Sequence, residues 1–386
     1  LRVELLNAQF DLQQREDVAL LVLLAGDDRV GCNEVFDRLH EWMDARLLDA
    51  AVFPAQLTDE ERAWPPFWRY WQALPSRGRT GLHFGGWVNE PLVARLTGKL
   101  GKRDLERRID HVRALERMLV ADGTAVLKLW IHLPHAEHGK RVRRARRKPD
   151  KEWRVEDADI RLFERLDEAL PLAEDFLHRT DSAEAPWVVI DGSDARHRDV
   201  GAGRAVLGAL QRTLARSGAR APAAPSPAPQ DYRRGPLDEL DLSVALPDEE
   251  YDERLEELQA RLSKLSRKAR RKGLASVLVF EGWDAAGKGG CIRRLTAAMN
   301  AQHYRVVPIA APTEEELAHH YLWRFWARLP RAGHVTIFDR SWYGRVLVER
   351  VEGCLLYTSD AADDAMNVLW AGVGGAWGRG GGGGGG

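Results

Sequence analysis

The sequence has few cysteines, no long apolar run and no excess of charge of either sign. Its three cysteines (Cys32, Cys291 and Cys354) cannot form a disulfide framework, which predicts a reducing compartment, the cytoplasm. The longest apolar run, residues 18–25, is far shorter than the ~20 residues that a membrane-spanning helix needs, so no membrane partner is expected. With 57 basic and 58 acidic side chains the net charge is −1, which argues against a dedicated nucleic-acid-binding protein.

The end of the chain differs in composition from the rest. Residues 354–386 are rich in glycine and alanine, follow no helix or strand period, and finish with seven consecutive glycines. The stretch that begins CLLYTSDAAD at Cys354 resembles a translated sequencing adapter. We predict that residues 354–386 are a non-native tail; a genuine flexible tail is the alternative.

An internal repeat relates two parts of the chain at an offset of 255 or 256 residues. Strand-like runs at 18–25 and 276–281 each precede a glycine, and WRYWQALP from Trp68 matches WRFWARLP from Trp323. This series of matches predicts a tandem duplication. Continuous apolar runs followed by helical patterns predict parallel strands covered on both faces, a three-layer α/β/α fold.

The repeat also predicts the domain organisation. The first copy spans 1–216 and is followed by a linker at 217–234, in which four prolines fall within nine residues. The second copy starts near 235 and is truncated at 353, so it holds about the first half of a domain. Residues 248–272 are predicted to form its first helix, with an acidic start and a basic end.

The second copy contains a candidate phosphate loop. The segment GWDAAGK, from Gly282 to Lys288, fits the pattern G-x-x-x-x-G-K, follows a predicted strand and opens a predicted helix. Backbone N–H groups of such a loop bind phosphate oxygens, and the lysine reaches a transferring phosphoryl group. Gly289 stands where serine or threonine would ligate magnesium, so we predict that Asp284 holds the metal. The predicted phosphate- and nucleotide-binding residues of the loop are Gly282, Trp283, Gly287 and Gly289.

A second acidic residue and a group of arginines follow further along the chain. The predicted strand 335–339 ends in Asp339, which places a carboxylate at the edge of the sheet where open α/β sheets bind ligands. Two carboxylates with phosphate oxygens and water suit Mg²⁺. Arginines after the strand can neutralise charge on a transferring phosphoryl group, although a solvated helix face is the alternative for each. These residues are Arg340, Arg345 and Arg350, with Glu349 beside them.

Together these motifs resemble the polyphosphate kinase 2 family. The resemblance rests on GWDAAGKGG from Gly282, FDRSWY from Phe338 and VERVEG from Val348, and the tandem arrangement resembles its two-domain type over residues 1–353. It implies a P-loop kinase-like fold, Mg²⁺, and transfer of the terminal phosphoryl group of inorganic polyphosphate to AMP, giving ADP. The sequence leaves open whether the protein forms a homo-oligomer. By motif position the resemblance suggests Asp284 and Asp339 at the metal, Lys288 on phosphate, and Arg340 and Glu349 in the catalytic set.

The first copy lacks the side chains for this chemistry, which predicts a structural or regulatory role. Cys32 stands at the position of the lysine, and a thiol of ordinary pKa is mostly uncharged at pH 7. At the positions of the aspartate, the arginine and the glutamate stand Phe84, Gly85 and Ala94.

Three other functions stay open. The same fold could use polyphosphate to phosphorylate a nucleoside diphosphate, or it could be an ordinary nucleotide kinase that uses ATP. If the truncation is genuine, a catalytically dead binder of polyphosphate or nucleotide becomes the alternative, and we expect the chain as it stands to be inactive.

Overall fold

The structure, a computed structural model, describes residues 1–146, 165–215, 241, 243, 245–282 and 285–344, with the backbone alone described for 141–146. These residues fall into two compact units. Unit 1 contains the described parts of Leu1–Arg62, Phe67–Gly218 and Pro312–Trp323; unit 2 contains those of Ala63–Pro66, Ala219–Ala311 and Arg324–Gly386. Within the described ranges, no helix has both the length and the apolar character needed to cross a membrane.

The first copy folds around a five-stranded parallel sheet in the order β2-β3-β1-β4-β5. The strands are β1 (Ala19–Gly26), β2 (Leu48–Val52), β3 (Thr80–Phe84), β4 (Thr124–His132) and β5 (Trp187–Asp191). The helices are α1 (Arg2–Gln13), α2 (Arg29–Trp42), α3 (Asp59–Ala63), α4 (Trp68–Trp71), α5 (Gly86–Leu96), α6 (Lys102–Ala121), α7 (His135–Arg146), α8 (Leu166–Thr180) and α9 (Ala195–Ala215).

Helices cover both faces of this sheet. One layer consists of α1, α2 and α9, and the other of α5, α6 and α8. Because β1 lies in the middle of the sheet between these layers, its side chains are buried along almost the whole strand. The predicted three-layer α/β/α fold is therefore confirmed, and the run at 18–25 coincides with a strand covered on both faces, as expected.

The second copy repeats the first three strands. These are β6 (Ser276–Phe280), β7 (Tyr304–Pro308) and β8 (Val335–Asp339), which are parallel and lie in the order β6-β8-β7. The equivalent strands of the first copy lie in the same order, β1-β3-β2, which confirms the duplication. The helices are α10 (Asp248–Arg271), α11 (Lys288–Ala297), α12 (Glu314–Ala318) and α13 (Trp323–Trp326). Helix α10 matches the helix predicted at 248–272.

Each unit includes a short segment from the other sequence copy. In unit 1 the backbone N–H of Arg77 donates to the carbonyl of Ala318 at 2.7 Å, and in unit 2 that of Ala332 donates to Ala63 at 2.6 Å. The two donors are 255 positions apart, as are the two acceptors, so the same bond occurs once in each unit. The domain boundaries at 216 and 235 stay a prediction. They assign each sequence copy to one continuous domain, whereas each compact unit includes a segment of the other copy.

The repeated Trp-Arg-aromatic-Trp element contributes buried side chains to the core of each copy. Trp71 and Trp326 are fully buried, and the arginine of each element is also buried. Arg69 donates to the carbonyl of Pro54, and Arg324 donates to that of Ala310, the equivalent position. In both copies this arginine therefore fixes the loop that follows the second strand.

Candidate active site

The phosphate loop connects β6 to α11 in the second copy. Gly287 is the N-cap of α11 and has a left-handed backbone with φ of +85°, a conformation that glycine adopts without strain. The ammonium group of Lys288 donates to the carbonyl of Gly282 at 2.8 Å and thus folds back over the loop. A Cβ atom added at Gly287 or Gly289 would meet no described atom within 4 Å. The glycines therefore leave open space at the helix N-terminus, where phosphate oxygens are favoured.

Strand β8 brings Asp339 to the same edge of the sheet. Asp339 pairs in register with Phe280 of β6 and Pro308 of β7, each the last residue of its strand. The carbonyl of Asp339 accepts from the N–H of Ile309 at 3.0 Å, and the N–H of Arg340 donates to Phe280 at 2.9 Å. Since the three strands end together, Asp339 and Arg340 lie directly beside the phosphate loop.

These residues surround one cleft of about 520 Å³. Lys288, Gly287, Gly289, Asp339 and Arg340 were all predicted from the sequence, and the structure brings them together there. The described lining residues provide three cationic side chains and one carboxylate at the N-terminus of a helix, an arrangement suited to a polyanion. Its described lining residues are Ala285, Ala286, Gly287, Lys288, Gly289, Gly290, Arg293, Pro308, Ile309, Asp339 and Arg340.

Other predicted site residues lie outside the described ones. They are Trp283, Asp284, Arg345, Glu349 and Arg350, and their roles stay predictions. Gly282 is described at the start of the loop, where its carbonyl accepts from Lys288.

Arg293 is a lining residue that the motif analysis missed. It lies five residues after Lys288 in α11, on the side of the helix that faces the cleft. The sequence contained one signal for it, because the first copy has the acidic residue Asp37 at the equivalent position. A change from arginine to aspartate accompanies the loss of the lysine and reverses the local charge.

The first copy retains the backbone of this site without its side chains. The N–H of Gly85 donates to Leu24 at 2.8 Å and that of Phe53 to Phe84 at 2.8 Å, equivalent to the bonds around Asp339. Phe84 and Gly85 offer no charge, and a Cβ atom at Gly85 would lie 2.6 Å from the carbonyl oxygen of Phe53. Burial raises the pKa of the Cys32 thiol well above its ordinary value, so it stays uncharged.

A carboxylate of the first copy's own loop is held by donors from β4 and the residues that follow it. Asp27 accepts from the indole of Trp130 at 2.8 Å and from the N–H of Leu133 at 3.0 Å, and it contacts His132 and His138 at 3.1 and 2.9 Å. Burial opposes ionisation of Asp27, but the bonds to His138 and Leu133 and the nearby His132 outweigh it and lower its pKa. An anion belonging to the protein thus lies in the loop equivalent to the phosphate loop, which disfavours binding of a second anion.

A parallel α/β sheet with a lysine-bearing glycine loop and an aspartate at the end of a neighbouring strand places the second copy among the P-loop phosphotransferases. Comparison with known proteins narrows this class. The chain belongs to the polyphosphate kinase 2 family, whose family model matches residues 1–217 and 245–365.

Individual relatives agree with this membership. The chain is 44% identical to the polyphosphate:AMP phosphotransferase of Pseudomonas aeruginosa over 356 residues, which are 92% of this chain and 71% of that protein. It is 48% identical over 105 residues to an ADP-polyphosphate phosphotransferase of Rhizobium meliloti, covering 27% of this chain and 35% of that protein. A crystal structure of polyphosphate kinase 2 from Pseudomonas aeruginosa superposes with a TM-score of 0.81 at 40% identity, over 97% of this chain and 74% of that one.

Proposed function

We propose that the protein transfers the terminal phosphoryl group of inorganic polyphosphate to AMP, giving ADP, and that the second copy performs this reaction. The observation that carries the proposal is the cleft in which Lys288, Arg293 and Arg340 meet Asp339 at the N-terminus of α11. A chain of phosphates is a dense polyanion, and this cleft offers it cations and helix N–H groups. The relative from Pseudomonas aeruginosa, which is 44% identical over 92% of this chain, is named polyphosphate:AMP phosphotransferase.

The reaction needs positioning and charge neutralisation rather than covalent catalysis. An oxygen of the AMP phosphate attacks the terminal phosphorus, the bond from that phosphorus to its bridging oxygen breaks, and the polyphosphate leaves one unit shorter. The N–H groups at the start of α11 orient the donor chain. Lys288 and Arg340 neutralise charge on the transferring group, and Arg293 holds a neighbouring phosphate of the donor.

The described residues fit a magnesium ion at this cleft. The carboxylate of Asp339 supplies a hard oxygen ligand on the lining, and Mg²⁺ characteristically combines one or two carboxylates with phosphate oxygens and water. We propose that Asp339 and Asp284 hold the ion. When bound, Mg²⁺ neutralises phosphate charge and helps to align the donor chain.

A polyphosphate-driven nucleoside diphosphate kinase is the second candidate, since the 48% identical relative is named for ADP. The test incubates the protein with Mg²⁺, either polyphosphate or ATP as donor, and AMP, ADP or GDP as acceptor, and follows products by anion-exchange chromatography. Calorimetry measures binding of polyphosphate. Formation of ADP from AMP, abolished by EDTA and restored by Mg²⁺, supports the proposal and would show that the expectation of an inactive chain is wrong. Turnover of the diphosphates alone would favour the second candidate, turnover with ATP alone would indicate an ordinary nucleotide kinase, and binding without turnover would leave a polyphosphate binder.

A further inference from the structure

A carboxylate next to the phosphate loop joins two segments of the candidate active site. Glu281 directly follows β6, and its Oε1 accepts three hydrogen bonds from the segment after β8. The donors are the N–H and the hydroxyl of Ser341, at 2.7 and 2.5 Å, and the N–H of Gly344 at 3.2 Å. One side-chain oxygen thus connects the residue before the phosphate loop to the residues after Asp339 and Arg340.

These bonds extend the pairing of β6 and β8 beyond the ends of both strands. The last backbone bond runs from the N–H of Arg340 to Phe280, and the next donor, the N–H of Ser341, meets the side chain of Glu281 instead. Ser341 is fully buried. A Cβ atom at Gly344 would lie 2.8 Å from Oε2 of Glu281, so this glycine leaves room for the carboxylate.

The first copy provides an internal comparison. The equivalents of Glu281 and Ser341 are Ala25 and Gly86, so both partners of the contact are absent there. The preceding backbone bond is kept, since the N–H of Gly85 donates to Leu24 at 2.8 Å. The turn after the third strand therefore forms without the carboxylate. The glutamate and the serine occur in the copy that has Lys288, Asp339 and Arg340.

We infer that Glu281 is a positioning residue for phosphoryl transfer, which rests on the function proposed above. By fixing Ser341 and Gly344 it holds the Arg340 guanidinium and the Asp339 carboxylate against the phosphate loop. Glu281 itself contacts no substrate in this role. When the groups that contact a transferring phosphoryl group are misplaced by about 1 Å, the rate can fall on the order of 100-fold. Loss of the Glu281 contact therefore lowers kcat although the protein stays folded.

The test compares Glu281→Ala, Glu281→Gln, Ser341→Ala and the double variant Glu281→Ala/Ser341→Ala in the full chain, with Glu256→Ala on the exposed side of α10 as the control. We expect Glu281→Ala to lower kcat by about 10- to 100-fold, with a smaller change in KM for polyphosphate. Because all three donors meet one oxygen, Glu281→Gln keeps the acceptor and restores kcat to near the unmodified value. The double variant falls no further than Glu281→Ala, since the two residues act through one contact.

Two results would overturn the inference: an unchanged kcat for Glu281→Ala with only a lower melting temperature, or fully additive losses in the double variant. If the unmodified protein makes no ADP from polyphosphate and AMP, the proposed function fails, and the Kd for tripolyphosphate measured by calorimetry then decides the role of Glu281. A Kd about tenfold higher for Glu281→Ala but not for Glu281→Gln supports positioning of the anion-binding groups. An equal Kd in both variants rejects it.

Discussion

Arg340 and Gly85 occupy equivalent positions after the third strand of their copies and share a positive φ, of +66° and +86°. This conformation costs a residue with a Cβ atom about 1–2 kcal/mol, whereas glycine adopts it freely. The second copy therefore carries an arginine where glycine would be more stable. A strained residue beside a phosphate loop indicates that its side chain serves the site rather than the fold.

Replacement of Arg340 by glycine separates these two effects. We expect Arg340→Gly to raise the free energy of unfolding by about 1 kcal/mol, because the strain is relieved. The same change should lower kcat by about 100-fold, because the guanidinium no longer neutralises the transferring group. Urea unfolding and the ADP assay measure the two quantities; an unchanged kcat would remove Arg340 from the catalytic set.

Gly85→Ala is the matched control in the first copy. Its added Cβ would lie 2.6 Å from the carbonyl oxygen of Phe53 and 2.8 Å from the amide nitrogen of Asn89, at a positive φ. We expect a loss of stability and no change in the kcat of the folded protein. A stabilised Gly85→Ala variant would contradict the described backbone at this turn.

Lys288 is the most direct probe of the phosphate loop. We expect Lys288→Ala to lower kcat by about 100-fold or more, because an ammonium group aimed at the transferring phosphoryl group has no substitute in alanine. Lys264→Ala, on the exposed surface of α10, is the control and should keep the unmodified rate. Equal rates for both variants would show that the loop is not the phosphate site.

Asp27 tests whether the first copy is a structural part of the protein. We expect Asp27→Ala to lower the free energy of unfolding by about 3 kcal/mol, because Trp130, Leu133 and His138 lose the carboxylate that they contact. Asp37→Ala, on the exposed side of α2, should change it little. The Kd for tripolyphosphate should be the same in both folded variants, and tighter binding by Asp27→Ala would place an anion site in the first copy.

His83 makes the first copy sensitive to acid. Its Nε2 lies 2.8 Å from the carbonyl oxygen of Ala73, and burial lowers the pKa of His83 to about 4. An unfolded histidine has a pKa of about 6.5. Between these values the unfolded chain binds a proton that the folded protein does not, so the stability is complete above pH 6.5 and is lost as the pH falls towards 4.

The variant His83→Phe introduces the residue found at the equivalent position, Phe338. We expect its free energy of unfolding to fall less steeply than that of the unmodified protein between pH 6.5 and 4, because no group titrates at that position. Urea unfolding across this range measures the slopes, with the exposed His178→Gln as control. Parallel curves for His83→Phe and the unmodified protein would show that His83 does not titrate on unfolding.

Local patterns sufficed for much of the fold and part of the site. The apolar run at 18–25 and the strand ending in Asp339 follow from side-chain pattern alone, because a strand buried on both faces needs continuous apolar residues. The repeat then identified Cys32 as the counterpart of Lys288 and predicted an uncharged side chain there. Burial of that thiol agrees with the prediction.

Other features depend on which segments meet in three dimensions. Arg293 contributes to the cleft through the rotation of α11 against the sheet, which a short helical sequence does not determine. The contact between Glu281 and Ser341 joins loops 60 residues apart, and His138 reaches Asp27 across 111 residues. The placement of Pro312–Trp323 in unit 1 likewise has no signature in the local sequence.

The short distance between the Gly85 Cβ position and the Phe53 carbonyl oxygen also limits which substitutions could give the first copy the side chains for phosphoryl transfer. A return of phosphoryl transfer would require a basic side chain at residue 85, and no residue larger than glycine fits until that carbonyl moves. A basic side chain at residue 85 would therefore need a second change, one that moves the Phe53 carbonyl, before it could occupy the position that Arg340 has in the second copy.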